Sequence, residues 1–233
     1  MIQNNFRQGL QDGVPIALGY CSVSFAFGMM CVNQGIPVWI AALISLTNLT
    51  SAGQFAGLGI IAAGGSLIEM ALSQFVINLR YFLMSLTMTQ KVDPKMSTSK
   101  RAVVAYGITD EIFALSSSKY NGVGFAYMMG LMALPVLGWT LGTILGGVAS
   151  SILPMALRDA LGIMIYGMFC AIIIPPARKE KSILIVVLAA AITSCIFQIL
   201  SLEIGSGFVI ILCTLIAAGL GAVLFPIKEE KTR

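Results

Sequence analysis

Between Gly13 and Ile68 the chain reads GVPIALGYCSVSFAFGMMCVNQGIPVWIAALISLTNLTSAGQFAGLGIIAAGGSLI, 56 residues without one charged side chain. About 20 apolar residues cross the hydrocarbon core of a bilayer as a helix, so this stretch holds more than one crossing. Further uncharged runs follow at Tyr120–Leu157, Ala160–Ala177, Ser182–Leu202 and Ile204–Ile227. A helix in a soluble core shows charge on its outer face every turn or two, and these runs show none.

The rest of the composition agrees. Charged residues make up 10% of the chain, against about 25% in soluble domains. With 58% hydrophobic residues and a mean hydropathy of +0.92, no polar coat is left for a soluble domain. The expected fold is all-α: a polytopic membrane helix bundle forming a single transmembrane domain over 1–233. Residues 1–120 carry the motifs, and 121–233 form a second helical half. The opening MIQNNFRQGLQDG lacks the basic start, short apolar core and cleavage site of a removable signal. The first apolar segment is therefore expected to stay as a spanning helix.

Seven hydrophobic segments are expected, at 13–32, 37–64, 66–90, 121–148, 156–176, 182–201 and 205–226. Residues 101–119 read equally as a membrane segment or as a surface helix. Pro37 and the run Ala63-Gly64-Gly65-Ser66 mark turns. Basic clusters at Lys91–Arg101, Arg178–Lys181 and Lys228–Arg233 put these loops and the C-terminus on the cytoplasmic side. The N-terminus lies outside with seven crossings, and inside if 37–64 is a re-entrant hairpin. The net charge of +4 resides in these loops and is no signal for nucleic acid.

The second segment is too long for one crossing, and its centre is polar: Thr47-Asn48-Leu49-Thr50-Ser51-Ala52-Gly53-Gln54. These residues cap or weaken helices, so a break is expected there. Unwound backbone at membrane depth persists only where protein or a wet cavity covers it. A half-helix starting near Ser51 would aim its free N–H groups at an anion, as broken helices do in transporters. Gly53 would allow close approach, and Gln54 would donate or accept. Small residues here also suit plain helix packing. Thr50 is placed with them.

Arg80 lies deep in the third segment, beside Asn78. A central arginine costs about 2.5–3.5 kcal/mol to insert, so it needs a counter-ion, carbonyls or water. Snorkelling to a headgroup is the bland alternative, and its depth argues against that. Asp110 and Glu111 are the nearest candidate partners in the ambiguous stretch. Adjacent acids do not share a helix face, so one of the two is expected to point inward. Pro15, Gly19 and Tyr20 open the first segment as a structural motif, with Pro15 at a helix start. Gly138, Gly142 and Gly146 recur every four residues and form a packing stripe.

There is no histidine and no CxxC pair among the five cysteines, which removes metal-binding clusters. No cofactor and no metal are expected. Neither a GxxxxGK[ST] loop nor a GxSxG elbow occurs, so the chain carries no ATPase and is not expected to be an enzyme.

Gly13-Val14-Pro15, Leu18-Gly19-Tyr20, Ala26-Phe27-Gly28, Ser51-Ala52-Gly53-Gln54-Phe55-Ala56, Asn78-Leu79-Arg80 and Gly107-Ile108-Thr109-Asp110-Glu111-Ile112-Phe113-Ala114 occur in this order. Together, over residues 9–119, they resemble the AzlC-like branched-chain amino acid permeases. The second half matches in hydropathy only. The resemblance implies a cytoplasmic-membrane exporter of branched-chain and related neutral amino acids, working with a small AzlD-like membrane protein. Many relatives place a histidine after Asn-Leu-Arg, where this chain has Tyr81, so any proton coupling must use carboxylates such as Asp110, Glu111 or Glu69. The expected mechanism is secondary transport: Ser51–Gln54 and Arg80 meet the substrate carboxylate, and Asp110 or Glu111 meets the ammonium or carries a proton. The alternative is the membrane subunit of an ATP-driven amino acid importer.

Overall fold

A computed structural model describes residues 2, 4–150, 152–154, 167, 170, 173–200 and 204–226. These residues are helical or in turns, with no strand among them beyond an isolated bridge between Val92 and Val123. Nine helices are described here: α1 (Phe6–Asn33), α2 (Val38–Thr47), α3 (Ala52–Ala62), α4 (Leu67–Met88), α5 (Thr98–Tyr106), α6 (Asp110–Ser117), α7 (Phe125–Ala149), α8 (Lys181–Leu200) and α9 (Ser206–Leu224). Five of them, α1, α4, α7, α8 and α9, are long and apolar enough to cross a membrane. The expected segment 156–176 lies largely outside the described residues.

The helix starts follow local chemistry. Asn5 caps α1, its side chain accepting from the backbone N–H groups of Arg7 and Gln8. The helix thus begins seven residues before the expected 13. Pro15 is inside α1 rather than at its start, because the asparagine cap acts first. Pro37 sits at the N-cap of α2, where its fixed φ suits a helix entrance. Gly64, at φ +66, closes the turn between α3 and α4 in a conformation that side chains resist.

The chain forms two compact units, Met1–Phe55 with Asn78–Ile165, and Ala56–Ile77 with Tyr166–Arg233. The first unit is built on the α1–α7 pair. A Cβ on Gly130, Gly138 or Gly146 of α7 would strike the backbone carbonyls of Phe6, Ala17 or Phe25 on α1. Gly9, Gly13 and Gly28 of α1 meet α7 backbone in the same way. The glycine stripe therefore packs within the chain, its helices in backbone contact along the seam. Small residues serve this purpose in membranes because lipid gives helices no hydrophobic reason to associate. Around the seam Tyr127, Met128, Leu131, Ile112 and Val123 are fully buried.

In the second unit α8 packs on α9, where a Cβ on Gly221 would fall 2.7 Å from Val186 Cγ2. None of the described residues of α8 is buried, as suits a lipid-facing helix. Glu69, 4% exposed near the start of α4, accepts at 2.6 Å from the backbone N–H of Gly207 in the first turn of α9. One helix thus supplies the cap of another, placing a negative group at a positive helix end.

Candidate functional site

Two breaks organise the first unit. The segment 37–64 is broken at its polar centre, as expected: α2 ends at Thr47 and α3 begins at Ala52. At about 1.5 Å per residue each piece spans about 15–17 Å, half of a 30 Å hydrocarbon core. Between them Asn48 leaves helical geometry (φ −137, ψ 87), and Ser51 stands at φ +50. A left-handed non-glycine residue costs roughly 1–2 kcal/mol, so the surroundings must hold it there. The second break divides 101–119 into α5 and α6 at Gly107–Thr109. A Cβ on Gly107 would strike the Met132 side chain, which explains glycine at this close approach.

Side chains tie the breaks together. The Tyr106 hydroxyl donates to the Leu46 carbonyl, joining the end of α5 to the end of α2. The Tyr81 hydroxyl donates to the Thr50 carbonyl at 3.4 Å, anchoring α4 to the first break. Beside it Arg80 makes an ion pair with Asp110, Nη1 to Oδ2 at 2.6 Å. The same guanidinium donates from Nη2 to Tyr81 Oη at 3.4 Å and stands 5.0 Å from the centroid of its ring. Arg80 thus has a carboxylate partner. Its side chain keeps 39% exposure and that of Asp110 47%, so the pair is reachable from outside the packed protein.

Both acids are engaged, each with its own partner. They occupy the first turn of α6 after the N-cap Thr109, where successive side chains fan to different partners. Asp110 takes Arg80, and Glu111 takes Tyr20, whose Oη lies 2.5 Å from Glu111 Oε2 and 2.6 Å from Thr109 Oγ1. A phenol has one proton. With the carboxylate receiving it, the Thr109 hydroxyl donates back to Tyr20, while Thr109 Oγ1 accepts from the backbone N–H of Ile112. Tyr20 is therefore a link between α1 and the second break, more than a helix-opening residue.

Gln54 is 3% exposed and donates from Nε2 to Ser45 Oγ at 3.1 Å, spanning the first break from α3 to α2. Ser45 in turn meets Thr143 Oγ1 of α7 at 2.7 Å. Four buried polar atoms in this region have no partner among the described residues: Thr50 Oγ1, Gln54 Oε1, Arg80 Nε and Trp139 Nε1. Gly53 is buried at the start of α3, and Asn78 and Ser51 are half-buried. Pro15 and Gly19 face outward, with nothing within 4 Å of a Cβ placed on Gly19.

The sequence reading passed over several polar residues. Ser45, Thr143 and Trp139 lie in runs that read as uniform apolar helix. Asp12 on α1 forms a second ion pair with Lys119 at 2.8 Å and accepts from the Tyr127 hydroxyl at 2.7 Å. An acid inside an apolar helix was the available signal for that pair.

Residues 15–153 match the family model described as AzlC protein. The chain belongs to the AzlC family. The match spans both breaks, Tyr20, Arg80, Asp110 and Glu111, and it runs through α7, beyond position 119 where the sequence motifs end. Among curated relatives of this AzlC protein, the inner membrane protein YgaZ of Escherichia coli (strain K12) is 28% identical over 76% of each chain. An uncharacterized membrane protein of Archaeoglobus fulgidus is 31% identical over 73% of this chain and 75% of its own. One of Helicobacter pylori (strain 26695) is 26% identical over 63% of this chain and 64% of its own. No solved structure matches the chain. These relatives are described as membrane or inner membrane proteins, and this chain has five described helices long and apolar enough to cross a membrane.

Proposed function

We propose that the chain is a secondary transporter exporting branched-chain and related neutral amino acids across the cytoplasmic membrane. The observation that carries this reading is the Arg80–Asp110 ion pair at 2.6 Å, set between two interrupted helices. A zwitterion needs a cationic and an anionic feature at one place, and this pair offers both. Paired interruptions of membrane helices are the usual pointer to a transporter's binding site. The pair stays partly exposed, so a substrate carboxylate can compete for Arg80 while its ammonium takes Asp110. Glu111, held by Tyr20, is a second carboxylate for the ammonium or for a coupling proton.

Membership of a membrane family of transport type, with no nucleotide loop or nucleophile elbow in the sequence, favours transport over catalysis. The remaining parts of the reading come from the resemblance and from loop charge: a small AzlD-like membrane subunit as partner, and a cytoplasmic C-terminus. L-leucine and L-valine efflux from loaded cells tests the mechanism. Secondary transport predicts efflux that survives ATP depletion and collapses with a proton ionophore. Efflux that follows ATP and ignores the ionophore would favour the ATP-driven reading instead.

A further inference from the structure

Trp139 on α7 is 1% exposed, and its Nε1 has no hydrogen-bond partner among the described residues. An indole nitrogen is a donor only, with no flip or tautomer that would satisfy it. Leaving such a donor unmade costs about 1–3 kcal/mol, and roughly nine in ten buried polar groups in folded proteins are paired. Phenylalanine would supply a comparable apolar surface without that cost. The N–H at this place therefore calls for an acceptor that the described residues do not supply.

Its location says which acceptor. The indole meets the Tyr20 ring edge-on, centroids 5.2 Å apart at 79°. Tyr20 carries Glu111 and Thr109 at its hydroxyl end. Leu49 completes the same apolar cluster, with Ile16, Val23 and Val136 packed against it. Leu49 sits within the first helix break and precedes Thr50, whose Oγ1 is also buried without a partner. Arg80, anchored to that break through Tyr81 and Thr50, holds a second unmet donor at Nε. Unmet donors beside a break, next to an aliphatic wall, suit the anionic end of a small molecule with an apolar side chain.

We propose that Trp139 is a substrate-contacting residue, its indole N–H donating to a carboxylate oxygen of the transported amino acid. This rests on the transport reading above and names a contact that the sequence motifs do not include. Carboxylate recognition is then shared between a charged donor on α4 and a neutral donor on α7, and the α1–α7 seam becomes part of the site's alignment.

The chain has two tryptophans, and Trp39 is 68% exposed on α2. Trp39→Phe in the full chain therefore leaves Trp139 as the sole indole reporter. Titration with L-leucine is expected to change its emission saturably. Trp139→Phe is expected to raise KM for L-leucine efflux about 10- to 100-fold, the worth of a hydrogen bond to a charged group. Isopentylamine, which keeps the ammonium and side chain but lacks the carboxylate, should compete equally with both forms. Emission unmoved by saturating L-leucine, or a wild-type KM in Trp139→Phe, overturns the assignment while leaving wild-type efflux intact. Absence of amino acid efflux from the wild-type protein overturns the transport reading and this contact with it. Should Trp139→Phe fail to fold, the emission titration decides.

Discussion

Gly146→Ala tests the seam that aligns the site. The added Cβ would lie 2.6 Å from the carbonyl carbon of Phe25 and 2.8 Å from its Cα, both backbone atoms that no rotamer change can clear. Carbon atoms rest about 3.5–4.0 Å apart, so α1 and α7 must part by about 1 Å. A gap of that size forfeits a quarter to a half of each contact, and over roughly 50 atom pairs the loss is about 2–4 kcal/mol. Alanine's better helix propensity returns about 1 kcal/mol. The net destabilisation is about 1–3 kcal/mol, in the range of overpacked cores. Gly19→Ala, on the same helix pair with open space at its Cβ, is the control and should be neutral or more stable by up to about 1 kcal/mol. Denaturation by SDS in mixed micelles measures both. Equal stability of the two variants would refute the backbone-contact seam. A seam that holds predicts in addition that Gly146→Ala impairs efflux more than its stability loss explains, because α1 carries Tyr20 and α7 carries Trp139.

Ser51→Gly should be stabilising by about 1 kcal/mol, since Ser51 holds φ +50 and glycine pays no Cβ penalty there, whereas Ser51→Val should destabilise. The same SDS titration checks this, and a neutral Ser51→Val would argue against the break. In the second unit Glu69→Gln keeps an acceptor for the Gly207 N–H and should cost little. Glu69→Leu orphans that buried donor and should cost about 1–3 kcal/mol, read as an earlier unfolding midpoint.

Much of the fold was legible because lipid imposes one requirement: long uncharged runs must be helices that satisfy their own backbone. The break at 48–51 was legible too, since Asn48, Thr50, Ser51 and Gly53 are poor mid-helix residues. Arg80 announced the need for a counter-ion by its cost alone. The partition of roles between Asp110 and Glu111 was not legible, because it depends on α6 starting at that point, after the Thr109 cap. The start of α1 was misplaced because the polar first two turns, Arg7 to Asp12, obscured the Asn5 cap. Trp139 and Thr143 were invisible for a different reason. A tryptophan or threonine in an apolar run gives no sign of whether its polar atom is met.

The most direct measurement is L-leucine efflux from proteoliposomes holding matched amounts of monodisperse wild-type, Arg80→Ala and Asp110→Asn protein. The guanidinium and carboxylate of the 2.6 Å pair are held to be the substrate's two counter-charges. Each single variant should then lose at least about tenfold in efflux, corresponding to about 1.4 kcal/mol of transition-state stabilisation. Wild-type efflux from either folded variant would contradict the assignment.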